Sequence, residues 1–227
     1  MKNITIITSV IDTPNIPLSY TKIRSVFTKE QRFEQLKQTI DTVRQKIPDN
    51  QIFLIECSPL SEIEKQYLTN IVDYFVNMYD TQNQQLINRM FTPSKSMGEG
   101  TMTIYALQYL INKNIEYDNL FKISGRYWLN DSFSYELYDN SMSCIHCIGG
   151  DSNNVFTCFY KLSKVDSLLW QNYLKSSENK FINCIGFELI FGEFIKQSMT
   201  PTNKKIVVEN KVGINGYVSI CGSYIDM

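Results

Sequence analysis

A short stretch near the middle of the chain changes from apolar to polar within a few residues, and it carries groups suited to bind an anion. Residues 119–123 (NLFKI) indicate a buried strand that contains Lys122, whose charge needs a partner or a ligand because an unpaired buried cation is costly. Four residues follow this strand directly: Ser124, Gly125, Arg126 and Tyr127. The guanidinium of Arg126 is a rigid fork that suits a diphosphate, and Gly125 permits close approach of the backbone. We expect a phosphate site here; the alternative is a structural lysine–carboxylate pair beside an edge arginine.

A second candidate site precedes the helix predicted from Gly98 to Asn112. Lys95, Gly98, Glu99 and Gly100 stand where a tight turn would direct backbone N–H groups towards an anion at a helix N-terminus. The order of glycines and lysine found in a P-loop is absent. Glu99 is expected either to begin the helix or to accept a hydrogen bond from a ligand hydroxyl.

The loop after the first predicted strand is the third candidate. It carries Tyr20, Lys22 and Arg24, and Arg32 follows on the next helix. The first loop at the end of a parallel sheet commonly holds a nucleotide, so Arg24 and Lys22 are predicted to meet phosphate and Tyr20 to stack on a base. A solvated loop with surface charges is the alternative.

Alternating strands and helices must position these three places. The strands are predicted at 3–10, 51–57, 71–78, 119–123, 142–148, 155–162, 205–209 and 217–220. The helices are predicted after an N-cap at Thr28, at 62–70 with Ser58 as the cap, and at 98–112, 165–174 and 186–197, while 79–96 is expected to be irregular. The order predicts an α/β fold: a mostly parallel central sheet flanked by helices, with antiparallel strands added in the second half. Ligands of such a sheet bind beyond the carboxyl ends of its strands.

The composition fits a single domain over residues 1–227. Hydrophobic residues make up 43% of the 227 residues, which excludes a disordered chain. The 22 Lys and Arg balance 23 Asp and Glu, for a net charge of −1 without long runs of one sign. This balance disfavours nucleic acid as a main partner, although a local positive pocket is compatible with it. The 14 Tyr and 13 Phe suit sugar and nucleotide sites, and they also fill cores.

The six cysteines are expected to be reduced thiols in a cytoplasmic protein. The N-terminus lacks the pattern of an export signal, and no segment reaches the ~18 apolar residues needed to span a bilayer. Cys144 and Cys147 flank His146, the sole histidine, but a structural zinc site needs four ligands and no second cysteine pair exists. We therefore predict no metal site here and a buried strand instead.

These segments together resemble a group of glycosyltransferases of the nucleotide-sugar type with the A-type, Rossmann-like fold, encoded by bacterial polysaccharide loci and large DNA viruses. The resemblance covers most of the chain and rests on Leu18–Ser25 (LSYTKIRS), Glu30–Phe33 (EQRF), Gln38–Ile40 (QTI), Lys95 with Gly98–Gly100, and Lys122–Tyr127 (KISGRY). It implies transfer of a sugar by a hexosyltransferase-like enzyme of polysaccharide biosynthesis. The donor would be a nucleotide-diphosphate sugar and the acceptor a hydroxyl of a glycan or another molecule.

The sequence departs from that family where the fourth major strand normally ends in Asp-x-Asp, which holds Mn²⁺ or Mg²⁺ against the donor. Here Ser124–Arg126 stands at that point, so no cofactor is expected to be required, and a divalent cation would need other ligands. Arg126, with Lys122 or Lys95, is then expected to neutralise the leaving diphosphate. An inverting enzyme of this kind needs a carboxylate as general base. The candidates are Glu188 first, which opens an otherwise apolar helix, then Asp151, Glu99 and Glu193.

Two other classes of function stay open on these residues. The missing acidic pair is also compatible with a catalytically inactive carbohydrate-binding or scaffold domain. Another nucleotide-binding transferase on a similar sheet is the second alternative. Either enzyme hypothesis requires Lys122, Arg126 and the loop from Tyr20 to Arg24 to converge on one cleft.

Overall fold

The computed structural model describes residues 1–147, 155–198, 206–207 and 212–227. Its strands are β1 (Asn3–Ser9), β2 (Asn50–Glu56), β3 (Tyr74–Asn77), β4 (Asn119–Ser124), β5 (Tyr127–Leu129), β6 (Cys144–Ile145), β7 (Phe159–Ser163), β8 (Ile206–Val207), β9 (Ile214–Tyr217) and β10 (Tyr224–Asp226). Its helices are α1 (Lys29–Lys46), α2 (Glu62–Ile71), α3 (Gln84–Met90), α4 (Lys95–Asn112), α5 (Lys164–Ser176), α6 (Glu178–Ile182) and α7 (Phe187–Gln197). Two single turns of 3₁₀ helix cover Met78–Thr81 and Tyr135–Leu137.

The main sheet is parallel in its first half and antiparallel where the second half of the chain joins it. The strand order is β3-β2-β1-β4-β7-β6-β8. Strands β3, β2, β1 and β4 run parallel to one another, β7 is antiparallel to both β4 and β6, and β8 is parallel to β6. A second, antiparallel sheet has the order β10-β9-β5. The predicted α/β class, with a mostly parallel sheet and antiparallel additions, is confirmed.

Helices cover both faces of the main sheet because its central strands are apolar on both sides. All seven residues of β1 are buried, as expected of a parallel strand between two helical layers. Its successive side chains point to opposite faces. Ile4 and Ile6 therefore join one core with α4, α5 and α7, while Ile7 joins the other core with Leu36 and Val43 of α1.

Helix α1 illustrates how local signals fix an element that borders the site. Thr28 caps it as predicted: the Thr28 hydroxyl accepts from the Gln31 N–H, and the Gln31 side chain accepts from the Thr28 N–H. The 3,4-spaced apolar residues Leu36, Ile40 and Val43 are all buried against the sheet. This reciprocal capping box fixes where the helix begins.

Replacing Thr28 with alanine is expected to lower the free energy of unfolding by about 1 kcal/mol, because the Gln31 N–H in the first turn loses its acceptor. Urea denaturation would show this as a lower midpoint with an unchanged slope. Thr28→Ser keeps the hydroxyl and should stay near the wild type. Equal midpoints for the alanine and serine variants would contradict the capping role.

Several predicted boundaries were wrong for identifiable reasons. The cap of α2 is Ser61, whose hydroxyl accepts from Glu64 N–H, whereas Ser58 is buried and bonded to Glu56. The stretch 79–96 is not irregular throughout, since it contains α3. Helix α4 begins at Lys95 after the cap Ser94, so the expected turn is a helix.

The predicted strands differ from the described ones mainly in length. The strand expected at 71–78 is confined to β3, and the one expected at 155–162 is replaced by β7 after an isolated bridge between Cys147 and Val155. The strands predicted at 142–148 and 205–209 fall partly outside the described residues. Within the described residues they correspond to β6 and β8. Strands β5 and β10 were not predicted. Within the described part of the chain, no helix combines the length and the apolar character required to cross a bilayer.

Candidate active site

A cleft of about 860 Å³, its open mouth included, lies beyond the carboxyl ends of β1 and β4. This is the edge at which a parallel sheet is expected to bind its ligand. The cleft is lined by Thr8, Ser9, Val10, Thr13, Leu18, Tyr20, Arg24, Arg32, Met90, Phe91, Lys95, Gly98, Glu99, Met102, Ser124, Arg126, Val218, Ser219 and Ile220. Eight residues predicted from sequence are in this set: Tyr20, Arg24, Arg32, Lys95, Gly98, Glu99, Ser124 and Arg126. The three separate candidate segments therefore meet in one place.

Four cationic side chains line this cleft, in a protein whose net charge is −1. They come from the loop after β1, from α1, from α4 and from the end of β4. Among the described residues, the sole carboxylate lining it is that of Glu99, which is already paired with Lys122. The cleft thus carries excess positive charge that suits an anionic ligand.

Arg126 and Arg32 are both anchored to backbone carbonyls beside the cleft. The Arg126 Nε donates to the Tyr217 carbonyl at 3.1 Å, and its guanidinium lies 4.9 Å from the centre of the Tyr127 ring. The Arg32 Nε donates to the Val10 carbonyl at 2.7 Å. Burial, aided by repulsion from Arg126, lowers the pKa of Arg32 to about 10, which still leaves it charged at neutral pH. An anion placed near both would relieve this repulsion.

Arg24 ties the loop after β1 to the joint between α3 and α4. Its Nε donates to the Ile16 carbonyl at 3.0 Å and its Nη2 to the Thr92 carbonyl at 2.5 Å. Burial lowers the pKa of this guanidinium. Arg24 therefore has a structural role in shaping the cleft wall in addition to its charge.

Tyr20 and Lys95 are the accessible members of the site. Tyr20 is 60% exposed, and burial of its hydroxyl together with the nearby Glu188 carboxylate raises its pKa. Lys95 is exposed and forms no ion pair among the described residues. Both side chains can adjust to a ligand, whereas the two arginines are pre-positioned.

Lys122 lies beneath the cleft rather than in it, which corrects its assignment as a residue that contacts the ligand. Its side chain is 0% exposed, and its ammonium donates to Glu99 Oε1, to Ser124 Oγ at 2.9 Å and to the Thr157 carbonyl at 2.9 Å. Burial alone would raise the pKa of Glu99, but Lys122 and Lys95 hold it below its ordinary value. The alternative of a lysine–carboxylate pair is the one that the structure shows, with Glu99 facing the cleft.

Three other predicted ligand contacts have packing roles, although one of them, Gly98, also lines the cleft. A Cβ on Gly125 would lie 2.9 Å from the Leu36 Cδ1, so this glycine allows α1 to approach the end of β4. Tyr127 is 3% exposed and forms part of the core under Arg126. Gly98 lies inside α4, where a Cβ would come within 3.0 Å of the Met90 carbonyl oxygen, so the close contact of α3 and α4 requires it.

Glu188, the first-ranked base, lies in a second pocket of about 540 Å³. This pocket is lined by Ser19, Tyr20, Lys95, Ser96, Glu99, Cys184, Gly186, Phe187 and Glu188. It shares Tyr20, Lys95 and Glu99 with the cleft, so ligands in the two spaces would adjoin. The Glu188 Oε1 accepts from the Thr157 hydroxyl at 3.2 Å, which orients its carboxylate. Asp151 lies outside the described residues, and Glu193 pairs with Lys180 and lines neither pocket.

Sequence patterns did not reveal several residues of the cleft wall. Ser219 is one: its hydroxyl accepts from Arg32 Nη1 at 3.1 Å and donates to the Arg24 carbonyl at 3.1 Å. Glu56 is another group near the cleft. It is fully buried at the end of β2, accepts from the Ile11 N–H at 2.9 Å, and has its pKa raised by burial.

Side chains that could bind a metal ion are scattered in the described part of the chain. In residues 1–147, 155–198, 206–207 and 212–227, no group of three or more His, Cys, Asp and Glu side chains could hold a metal ion. Cys144 is buried, and its thiol faces the Met142 carbonyl at 3.7 Å. The cleft itself presents serine and arginine at the end of β4.

No protein-family model matches the sequence, and no curated protein matches it. Among solved structures, one that is similar is the crystal structure of a glycosyltransferase involved in the glycosylation of the major capsid of PBCV-1. The two chains share 10% sequence identity, with a TM-score of 0.47, over 91% of this chain and 81% of that chain.

Proposed function

We propose that this chain is a glycosyltransferase that moves a sugar from a nucleotide-diphosphate sugar to the hydroxyl of an acceptor. The observation that carries the proposal is the convergence of Arg24, Arg32, Lys95 and Arg126 on one cleft at the carboxyl ends of β1 and β4. A nucleotide sugar needs such a site for its diphosphate, with room on either side for the base and the sugar. We retain in the proposal the single domain and the cytoplasmic location that are expected from the sequence. The family resemblance implies a hexose as the sugar and a glycan acceptor in polysaccharide synthesis.

On the donor side, Arg126 and Arg32 are proposed to bind the diphosphate. A guanidinium can bind two phosphate oxygens at once, and its fixed position means that little entropy is lost on binding. Tyr20 offers an exposed ring that can lie against the base or the sugar, and Lys95 adds a mobile charge. These groups would hold the nucleoside diphosphate as negative charge develops on it.

The residues lining the described cleft do not fit a divalent cation of the kind that an Asp-x-Asp pair holds. Ser124 and Arg126 occupy the end of β4, and the nearby Glu99 is engaged by Lys122. We therefore assign the neutralisation of the leaving diphosphate to the arginines.

On the acceptor side, Glu188 is proposed to act as the general base of an inverting transfer. Its carboxylate would take the proton of the acceptor hydroxyl while the hydroxyl oxygen bonds to the anomeric carbon. The bond from that carbon to the diphosphate oxygen breaks, and the nucleoside diphosphate leaves with the electron pair. Glu99, held ionised between the two pockets, would accept a hydrogen bond from a sugar hydroxyl.

Thermal unfolding with a panel of nucleoside diphosphates and nucleotide sugars, in EDTA and in Mn²⁺, tests the donor site. A ligand at 100 times its Kd adds about 2.7 kcal/mol to the stability of the native state. We expect a rise of several degrees in Tm with one nucleotide family, in EDTA as well as in Mn²⁺. The ligand that raises Tm would then be tested as donor with simple sugar acceptors.

Two results would count against this proposal. A rise in Tm that needs Mn²⁺ would show a metal site that the described cleft lacks. No rise with any nucleotide would contradict the donor site and favour a binding or scaffold domain.

A further inference from the structure

We propose that Lys122 is a positioning residue that fixes the acidic groups of both pockets through one buried ammonium. The inference rests on the proposed function, because it assigns Glu99 and Glu188 to the same reaction. Lys122 itself touches neither the cleft nor the second pocket.

Every hydrogen-bond donor of the Lys122 ammonium has a partner. A lysine ammonium has three donors. They go to Glu99 Oε1, to the Ser124 hydroxyl at 2.9 Å and to the Thr157 carbonyl at 2.9 Å. With its side chain 0% exposed in the middle of the sheet, the ammonium has one orientation and imposes it on all three partners.

Each of these three partners either lines a pocket or is hydrogen-bonded to a residue that does. Glu99 lines both pockets, and Ser124 lines the cleft. Thr157 lines neither, but its hydroxyl donates to Glu188 Oε1 at 3.2 Å, so the backbone that Lys122 holds in turn orients the proposed base. The Lys122 ammonium therefore sets where Glu99 and Ser124 in the cleft lie relative to Glu188 in the second pocket.

A purely structural lysine is available for comparison on the neighbouring strand. Lys161 of β7 is equally buried, but it donates to the Tyr138 carbonyl and to Asn140, away from both pockets. Buried ion pairs are weak evidence for stability, since apolar residues of similar volume often replace them without loss. The difference between the two lysines is that Lys122 alone connects to residues of the site.

The test compares Glu99→Gln with the double variant Lys122→Met/Glu99→Gln. The single variant leaves the buried ammonium without its carboxylate, so Tm is recorded for both proteins and kcat is given per folded molecule. In Glu99→Gln the ammonium still holds Ser124 and Thr157. In the double variant these contacts are lost as well. A displacement of about 1 Å in a catalytic group can cost 100-fold in rate. We expect kcat of the double variant to be about 100-fold below that of Glu99→Gln, with KM for the donor nearly unchanged because the arginines remain.

Two further measurements keep the result from being confused with misfolding or with a wrong function. Lys161→Met removes a lysine of equal burial, and we expect its kcat per folded molecule, with Tm recorded, to match the wild type. Crystal structures of Glu99→Gln and of the double variant should show the Thr157–Glu188 contact kept in the first and lost in the second. Equal kcat in these two variants, or a Glu188 carboxylate that stays in place in the double variant, would overturn the proposal.

The structural comparison decides the role of Lys122 even without turnover. Absence of transfer by the wild type with every nucleotide sugar would contradict the proposed function, whereas the position of Glu188 in the two crystal structures would still support or overturn the positioning role.

Discussion

Replacing Arg126 with alanine is expected to reduce sugar transfer by about 10²–10³-fold while the protein stays folded. Removal of one pre-positioned donor that faces developing negative charge typically costs a factor of this size in kcat. The fold should tolerate the change, because Arg126 faces the cleft and is anchored there by the Tyr217 carbonyl and the Tyr127 side chain. Steady-state kinetics with the identified donor, together with Tm, would measure both effects.

Two variants serve as controls for Arg126. Arg126→Lys keeps the charge and loses the fork, so it should recover only part of the lost rate. Arg44→Ala removes a surface arginine that pairs with Asp73, and its rate should equal that of the wild type. Unchanged transfer by Arg126→Ala would refute the assignment of the diphosphate site.

Replacing Glu188 with glutamine is expected to lower kcat by about 10²–10⁴-fold, the range that general base catalysis contributes. Glutamine has nearly the same shape and keeps an oxygen to accept from the Thr157 hydroxyl, so position is preserved and basicity is lost. Donor binding should be little affected, because the four cations lie in the adjoining cleft. Rates at saturating donor would measure the loss of the base, and the Tm rise with nucleotide would measure whether donor binding is kept.

Glu193 on the same helix provides the matched control for Glu188. It lies five residues further on, pairs with Lys180 and accepts from the Tyr173 hydroxyl, outside both pockets. Glu193→Gln should keep the rate of the wild type. If the two glutamine variants had the same activity, Glu188 would not be the base.

The parts of the fold that were predictable are those with local signals. Helix α1 combines the Thr28 cap with regularly spaced Leu36, Ile40 and Val43, and each signal suffices to place it. The central strands are short apolar runs between polar turns. Helix α3 was missed because it is only seven residues long and mostly polar, and Met90 is its one buried residue.

The error at α2 had a signal that could have prevented it. Ser61 and Glu64 form the Ser-x-x-Glu spacing of a capping box, and both reciprocal bonds are present. Ser58 is instead held by Glu56, a contact between the end of a strand and the following loop that sequence spacing does not reveal.

For the site, the sequence was sufficient to predict where residues converge but not which way they face. Arg126 and the loop from Tyr20 to Arg24 do meet at the end of the sheet, as the parallel order of β1 and β4 requires. The Lys122 side chain is buried within β4. Its carboxylate partner, Glu99, could not be predicted because it depends on how α4 packs across the sheet. Gly98 suggested a turn, whereas its role is set by contact with α3, which no local pattern encodes.

The bonds of Ser219 have a consequence for the order in which the protein can be made. Its hydroxyl joins Arg24 and Arg32, which precede it by 195 and 187 positions. During synthesis, β1, β2 and β4 can pair while the rest of the chain is still being translated, because domains can form structure from the N-terminus onward. The cationic cleft, however, lacks one wall until residue 219 has emerged from the ribosome. The protein can therefore pair its central strands well before the cleft is complete, and we expect a chain released before residue 219 to lack the contacts that join Arg24 and Arg32.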